Sequence, residues 1–402
     1  MSKHLTAHVA YTFIEDDARV LRYVRSLAGW GHRVHVFCLG RPGKTARESL
    51  EGISVFRLQN RRVNETVRLT YLLKILSFFV RSMLSVSYRC LRERYGLVHV
   101  HNVPDFLVFA AWLPKLMGAK IILDIHDIMP ELYASKFGCK KNSFVLKVLL
   151  WVEKLSCRFA DHVIVANDIW KEKIISRSVS PKRCTTIINY PETAVFKPLG
   201  PEEKPRDGKF ILLYPGTLNQ HQGLDVAIEA VSLLEKRIPG AELHIYGEGP
   251  ALSSLKKMVS GLGLDGKVVF RAPLPLDKIA KVIACAHVGV IPKRAEGFGD
   301  EAFSTKSMEF MACGVPVVMS RTLIDSIYFT ENEVWFFPSG DAKALAETIW
   351  HIYSHPEEAK RKASAALALV ARENWGNRRS LYLDIVNSLL SRTHSSGSHS
   401  AP

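Results

Sequence analysis

The stretch EGFGDEAFSTKSMEFMACGVPVVMS, residues 296–320, decides how this chain is read. It opens on a polar, glycine-punctuated run without a hydrophobic period, EGFGDEAFS, expected to be a loop. Good helix formers follow from Lys306 to Ala312, with Thr305 placed to serve as N-cap. Gly314 and Pro316 close that helix, and VPVVMS reads as a buried strand. A helix start offers free N–H groups and a partial positive charge, so it holds anions. Lys306 adds a full charge at the same place, which suits a diphosphate better than a single carboxylate. Glu309 stands one turn further in. A carboxylate there repels phosphate, so its natural ligand is a neutral diol such as a ribose. Glu301 lies on the other side of the helix start, separated from Glu309 by seven residues. The local pattern proposes a nucleoside-diphosphate ligand. The plain alternative is an ordinary loop–helix–strand whose Lys and Glu are solvated.

At 402 residues the chain exceeds a usual single core, which favours two domains. With 47% hydrophobic and 23% charged residues it is of ordinary globular composition. MSKHLTAHVAYTF lacks the apolar centre of a signal peptide, and no stretch is expected to span a membrane. Seven cysteines without a CxxC pair point to reduced thiols and a cytoplasmic setting, with no zinc indicated.

The net charge of +15 is uneven. Between Arg57 and Tyr95, nine Lys or Arg face only Glu65 and Glu93. The same segment holds YLLKILSFFVRSMLSVSY, read as a basic amphipathic helix. It can lie on an anionic membrane surface, giving peripheral contact at the inner face of the membrane. The alternative is a core-packed helix with a solvated basic rim. Nucleic acid is not expected as a partner, since no nucleic-acid module accompanies the charge.

Strands and helices alternate through both halves, which implies parallel sheets covered on both faces. The expected fold is α/β with two Rossmann-like, doubly wound domains facing across a cleft. Residues 1–197 form the first domain, and the polar stretch 198–209 the linker. Residues 210–374 form the second domain, 375–391 one more helix, and 392–402 a disordered tail.

Glu301, seven intervening residues and Glu309, embedded in EAFSTKSMEFMACGVPVV, resemble the signature of retaining glycosyltransferases of GT-B fold, the large group 1 or family-four class. The resemblance implies that Glu309 binds the ribose and that Ser304, Thr305 and Lys306 reach the diphosphate. It also implies that Glu301 faces the donor sugar, and that residues 375–391 cross back to the first domain. The donor is then a UDP- or GDP-sugar, and the acceptor a glycan or lipid-linked hydroxyl.

Elsewhere the motifs are less specific. In YPGTLNQHQGLDVAIEAV, from Tyr214, Gly216 lets the backbone approach a ligand and Gly223 begins a helix. The family commonly carries an Arg and a Lys in this turn; here Thr217 and Gln222 stand in their places. That departure shifts phosphate charge onto Lys306 and the helix start. His221 is either an extra cation or a solvated loop residue. IYGEGP, from Ile245, matches the family's GxGP near the base, or is a plain turn. Lys293, opening KRAEGFG, contacts sugar or diphosphate unless it is merely solvated.

In the first domain KIILDIHDIMPELY ends a strand at Asp124, with His126, Asp127 and Glu131 following, where α/β sites form. His126 and Asp127 resemble the family's strand-end cluster facing the donor sugar; the alternative is a capping Asp and a structural His. In HVHNVPDF, Asn102 and Asp105 are candidates for acceptor hydroxyls, while His99 and His101 read as packed. Asp17 and Arg19 either pair to shape the acceptor side or merely start a helix. No Asp-x-Asp motif ends a strand, which fits transfer without a metal or other cofactor, the helix start and Lys306 stabilising the leaving diphosphate. Two rivals stay open: a UDP-sugar epimerase of similar fold, and a non-catalytic nucleotide-sugar-binding or membrane-associated accessory protein.

Overall fold

The computed structural model describes residues 3–61, 68–137, 143–200, 202 and 208–395. The chain divides into two units, Met1–Asn189 with Arg379–Pro402, and Tyr190–Arg378. The division falls ahead of the expected 198–209 linker, because Tyr190 to Leu199 go with the second unit. Pro191 O accepts from Trp375 N, and Phe196 is buried. Of that linker, residues 201 and 203–207 lie outside the described residues.

The first unit holds strands β1 (Leu5–Phe13), β2 (Arg33–Gly40), β3 (Arg47–Leu50), β4 (Ile53–Asn60), β5 (Leu97–His101), β6 (Lys120–Ile125), β7 (His162–Val165) and β8 (Cys184–Thr186). They form one sheet in the order β3-β4-β2-β1-β5-β6-β7-β8. Only β3 runs antiparallel. It was not expected, since RESL is short and half exposed. The other strands are apolar nearly throughout because helices cover both faces. The order reverses between β1 and β5, and ligand crevices open at the carboxyl ends of such a pair.

Asp17 proves to be the cap of the Ala18–Gly29 helix, its carboxylate accepting from Val20 N at 3.0 Å. A 3₁₀ segment, Asp105–Ala111, leads into the short helix Trp112–Leu116. The expected basic helix is Arg68–Arg92. Residues 62–67, with Arg62 and Glu65, lie outside the described residues. By length and composition alone the part from Thr70 to Arg92 passes as long and apolar enough to cross a membrane, although Lys74, Arg81, Arg89 and Arg92 interrupt it. Ile75, Phe78, Val86 and Cys90 are nevertheless buried within the first unit. A second stripe, Leu72, Leu76, Val80, Leu84 and Tyr88, steps four residues at a time along the other side and is exposed.

The second unit holds β9 (Phe210–Pro215), β10 (Ala241–Tyr246), β11 (Val268–Arg271), β12 (Val288–Ile291), β13 (Val317–Ser320) and β14 (Trp335–Phe337). Their order is β11-β10-β9-β12-β13-β14, all parallel, with the reversal between β9 and β12. Leu212, Tyr214, Ile228, Leu243, Val290 and Ile349 belong to its core. The helix of the quoted stretch is Thr305–Ala312. Phe310 is fully buried on Gly289 of β12, where a Cβ would stand 2.5 Å from its ring. That contact sets the helix against the sheet.

Two short helices, Phe298–Glu301 and Leu323–Tyr328, lie where none was expected. The last helix runs over Trp375–Ser395, past the expected end at 391; residues 396–402 of the expected tail lie outside the described residues. From Arg379 it belongs to the first unit, where Tyr382, Val386, Leu389 and Leu390 are buried. None of the six described cysteines is in a disulfide.

Candidate active site

In the second unit, Gly216 follows β9 and Pro292 follows β12, so both neighbouring loops open at the reversal of the sheet. Gly223, at φ 66°, seals them together: a Cβ there would meet Pro292 O at 1.9 Å. Arg294 N also donates to His221 O at 2.9 Å. Gly216, at φ 148°, has a different neighbour. A Cβ on it would stand 2.2 Å from Lys306 Cε, so the lysine lies across the glycine. Lys306 Nζ sits 5.2 Å from the centre of the Tyr214 ring. Turn and helix start thus meet around one ammonium group. Burial brings its pKa down to about 8, helped by Lys293 and opposed by Glu309 and Asp325.

The helix start itself is uncapped. Ser304, not Thr305, holds the N-cap position, and no side chain accepts from the helix there. Thr305 is the first helical residue. Ser304 is buried, its hydroxyl without a hydrogen-bond partner. Gln222 ends a short 3₁₀ turn, Nε2 3.1 Å from His221 Nε2 and Oε1 buried without a partner. Buried polar atoms left unmatched are costly, and the Ser304 hydroxyl at the helix start is a donor that an anion would satisfy. Thr217 is exposed, while its carbonyl accepts from the Tyr214 hydroxyl at 3.0 Å. Glu301 and Glu309 are half-buried.

Lys293 corrects the sequence reading. Its ammonium pairs with Asp325 at 2.8 Å, both groups buried, and donates to Ala302 O at 2.7 Å. It braces the loop before the helix instead of waiting for a ligand.

The first unit carries a second cluster, at the carboxyl ends of β5 and β6. Asp124, fully buried, accepts from Arg19 Nη2 at 2.7 Å and Arg19 Nε at 2.9 Å. Its Oδ2 also lies 3.1 Å from His101 Nδ1 and 2.8 Å from His126 Nε2. Burial alone would raise this carboxyl; Arg19, His126 and the two histidine hydrogen bonds outweigh it and hold it well below the usual range. Nε2 of half-buried His126 is turned to Asp124, so Nδ1 is the ring nitrogen left for another partner. Asp127 is half-buried beside it, its carboxyl raised by burial against His126 and Arg19.

Asn102 and Asp105 are not laid out for an acceptor. Asn102 Nδ2 donates to Asp105 Oδ1 and to Asp127 O, both at 2.7 Å. Its Oδ1 accepts from His126 N at 2.7 Å and Asp127 N at 3.4 Å. Asn102 therefore ties the two strand-end turns together, and both side chains are buried. Burial pushes Asp105 up to about 7, with Asn102 opposing. Glu131 leaves the cluster for Arg177, at 2.7 Å. Arg19 turns from Asp17 to Asp124 and to Ile187 O, at 2.7 Å.

Sequence reasoning missed Asp124 as the hub, Arg19 as its counter-ion and Asp325 as the partner of Lys293. Asp124, near the end of an apolar strand, carried a local signal; Arg19 and Asp325 lie in helices, and partners 105 positions apart leave no local pattern.

Two doubly wound units, one with a cationic helix start at its sheet reversal, have the architecture of the GT-B fold. Residues 198–368 match the glycosyl transferases group 1 family, and residues 17–189 match the glycosyl transferase 4-like domain. The chain belongs to the group 1 glycosyltransferases. It is 38% identical over 103 residues to a GDP-mannose-dependent alpha-(1-6)-phosphatidylinositol monomannoside mannosyltransferase of Mycolicibacterium smegmatis, a match spanning 25% of this chain and 27% of that enzyme. Sucrose-phosphate synthase from Thermosynechococcus elongatus shares the fold at a TM-score of 0.77 and 20% identity, over 96% of this chain and 100% of that one. Anabaena Alr3699/HepE in complex with UDP-glucose shares it at 0.70 and 16%, over 97% and 99%.

Proposed function

We propose that this protein moves a hexose-type sugar from a UDP- or GDP-sugar to a hydroxyl of a glycan or lipid-linked acceptor, with retention at the anomeric carbon. The observation that carries the reading is Lys306 lying across Gly216 at an uncapped helix start. Lys306 and the free N–H groups hold the diphosphate, and Ser304 donates to a phosphate oxygen. Glu309 accepts from the ribose hydroxyls, and Glu301 faces the sugar. His126 offers Nδ1 to a substrate hydroxyl, with Asp127 beside it. The acceptor oxygen bonds to the anomeric carbon on the face from which the diphosphate oxygen departs, and its proton passes to that leaving phosphate. Lys306 stabilises the charge that develops there, a task that otherwise falls to a metal ion. The GDP-mannose and UDP-glucose of the two proteins above support both donor classes.

The exposed stripe of Arg68–Arg92 supports work at the cytoplasmic face of a membrane. Helix Phe144–Phe159 packs on the same Asp105–Ala111 segment and exposes Phe144 and Trp151, 79% and 63% accessible. Arg81, Arg92, Lys147 and Lys154 accompany these apolar residues. Apolar faces with flanking cations bind anionic bilayers.

Calorimetry with UDP, GDP and their sugar conjugates tests the donor site. One nucleotide series should bind wild type and lose about 1–3 kcal/mol in Glu309→Ala, as for hydrogen bonds to a charged group. Equal binding by both proteins would refute the ribose role. Product analysis then separates the classes: an altered sugar released with free UDP and no acceptor indicates an epimerase, and binding without turnover an accessory protein.

A further inference from the structure

Three histidines outside the transfer chemistry share one face of the first sheet. His8 on β1 stands in register with His99 on β5, and His101 follows two positions along β5. All three are buried. One ring nitrogen from each lies within 4.8 Å of the others.

The hydrogen bonds around them assign their lone pairs. His101 Nδ1, 3.1 Å from the ionised Asp124, carries the hydrogen, so Nε2 carries the lone pair. That Nε2 is 3.1 Å from His8 Nδ1. His99 Nδ1 is 3.0 Å from the Tyr382 hydroxyl, and its Nε2 is buried with no hydrogen-bond partner. His8 Nε2 is orphaned in the same way. Burial pushes all three rings below the ordinary histidine range, with Asp124 opposing in each case, so they stand neutral. Neutral imidazoles with unmatched nitrogens, buried side by side, cost stability unless something accepts those lone pairs.

We propose that His8, His99 and His101 bind a transition-metal ion of the zinc class inside the first unit. Imidazole nitrogen suits Zn²⁺, and the pairing of His101 with Asp124 and of His99 with a hydroxyl is the outer support such ligands use. Zn–N bonds of about 2.0–2.1 Å place tetrahedral ligand nitrogens roughly 3.4 Å apart. The 3.1 Å between His8 Nδ1 and His101 Nε2 is near that spacing; to hold the ion, His8 moves its hydrogen to Nε2, and the stacked rings of His99 and His101, 4.2 Å apart, turn their lone pairs toward it. Water takes the fourth position. The neighbouring group His101, Asp124 and His126 is the poorer host, because Asp124 is already spent on both donors of Arg19. The ion would staple β1 to β5 and takes no part in sugar transfer, so the proposal stands apart from the donor reading.

The test uses untagged full-length protein, stripped with a chelator, loaded with Zn²⁺ or Co²⁺ and desalted. Elemental analysis should find one ion per chain. The Co²⁺ form should show visible bands of a tetrahedral nitrogen–oxygen set without thiolate charge transfer, and the thermal midpoint should rise by several degrees. His8→Gln and His99→Gln, folded by circular dichroism, should lose the ion, while His244→Gln in the second unit keeps it. A desalted wild type without metal, a thiolate band, or full retention in both variants overturns the site. Should the variants fail to fold, the Co²⁺ spectrum of wild type decides alone.

Discussion

Lys306 occupies the space that a side chain on Gly216 would fill, its Cε 2.2 Å from where that Cβ would stand. The turn after β9 and the start of the Thr305–Ala312 helix are thus one device, although 90 residues separate them in sequence. Gly216→Ala should push the lysine away and strain a φ of 148°. We expect donor affinity to fall roughly 10–100-fold, the range for losing one charge-assisted bond, with the circular dichroism spectrum unchanged. Calorimetry with the nucleotide checks it.

With a pKa near 8, the Lys306 ammonium is the charged, phosphate-binding form only below that pH. Nucleoside-diphosphate affinity should therefore fall as pH rises from 7 to 9. Lys306→Arg, charged throughout, should flatten the profile, and Lys306→Gln should bind weakly at every pH. Titration calorimetry across that range reads all three proteins.

Arg19 and Asp124 form a buried pair, and removing one partner strands a charge. Arg19→Met should cost about 3–5 kcal/mol of stability. It should also free His126 from its fixed orientation. Urea denaturation gives the first value, and the turnover of whatever folded protein remains gives the second.

Asp105 titrates near 7 in the folded chain against about 3.9 in an unfolded one. The native state holds that proton more tightly, so the stability it contributes is full below about pH 4 and lost as pH passes 7. Asp105→Asn should gain on wild type as pH rises from 5 to 8. Thermal midpoints measured at both values would show whether the gap widens.

The outer stripe of Arg68–Arg92 contributes little to the core, so Leu76→Asp with Leu84→Asp should leave the fold and nucleotide affinity intact. The pair should abolish sedimentation with anionic phosphatidylglycerol vesicles, which wild type should show at low salt. Equal sedimentation by both proteins would remove the membrane contact.

The sequence alone determined the alternation of strands and helices, and hence two parallel sheets. Apolar runs such as VHVFCLG and VPVVMS are local signals, and so are Gly314 and Pro316 at the end of a helix. It also placed Lys306 and Glu309 beside a helix start, because one helical turn brings those groups together without help from the rest of the chain; that no side chain caps that start emerged only in the structure. The identity of the cap slipped by one residue, from Thr305 to Ser304, since both residue types suit the position and only backbone angles separate them. Tertiary structure decided the rest. Lys293, read as a free cation, is consumed by Asp325, 32 positions away. Asn102, read as a surface binder, is spent on the turn holding His126. Arg19 exchanged its neighbour Asp17 for the distant Asp124. Spacing along a chain shows which groups a helix aligns, whereas the partner of a buried charge depends on which strands the sheet sets side by side.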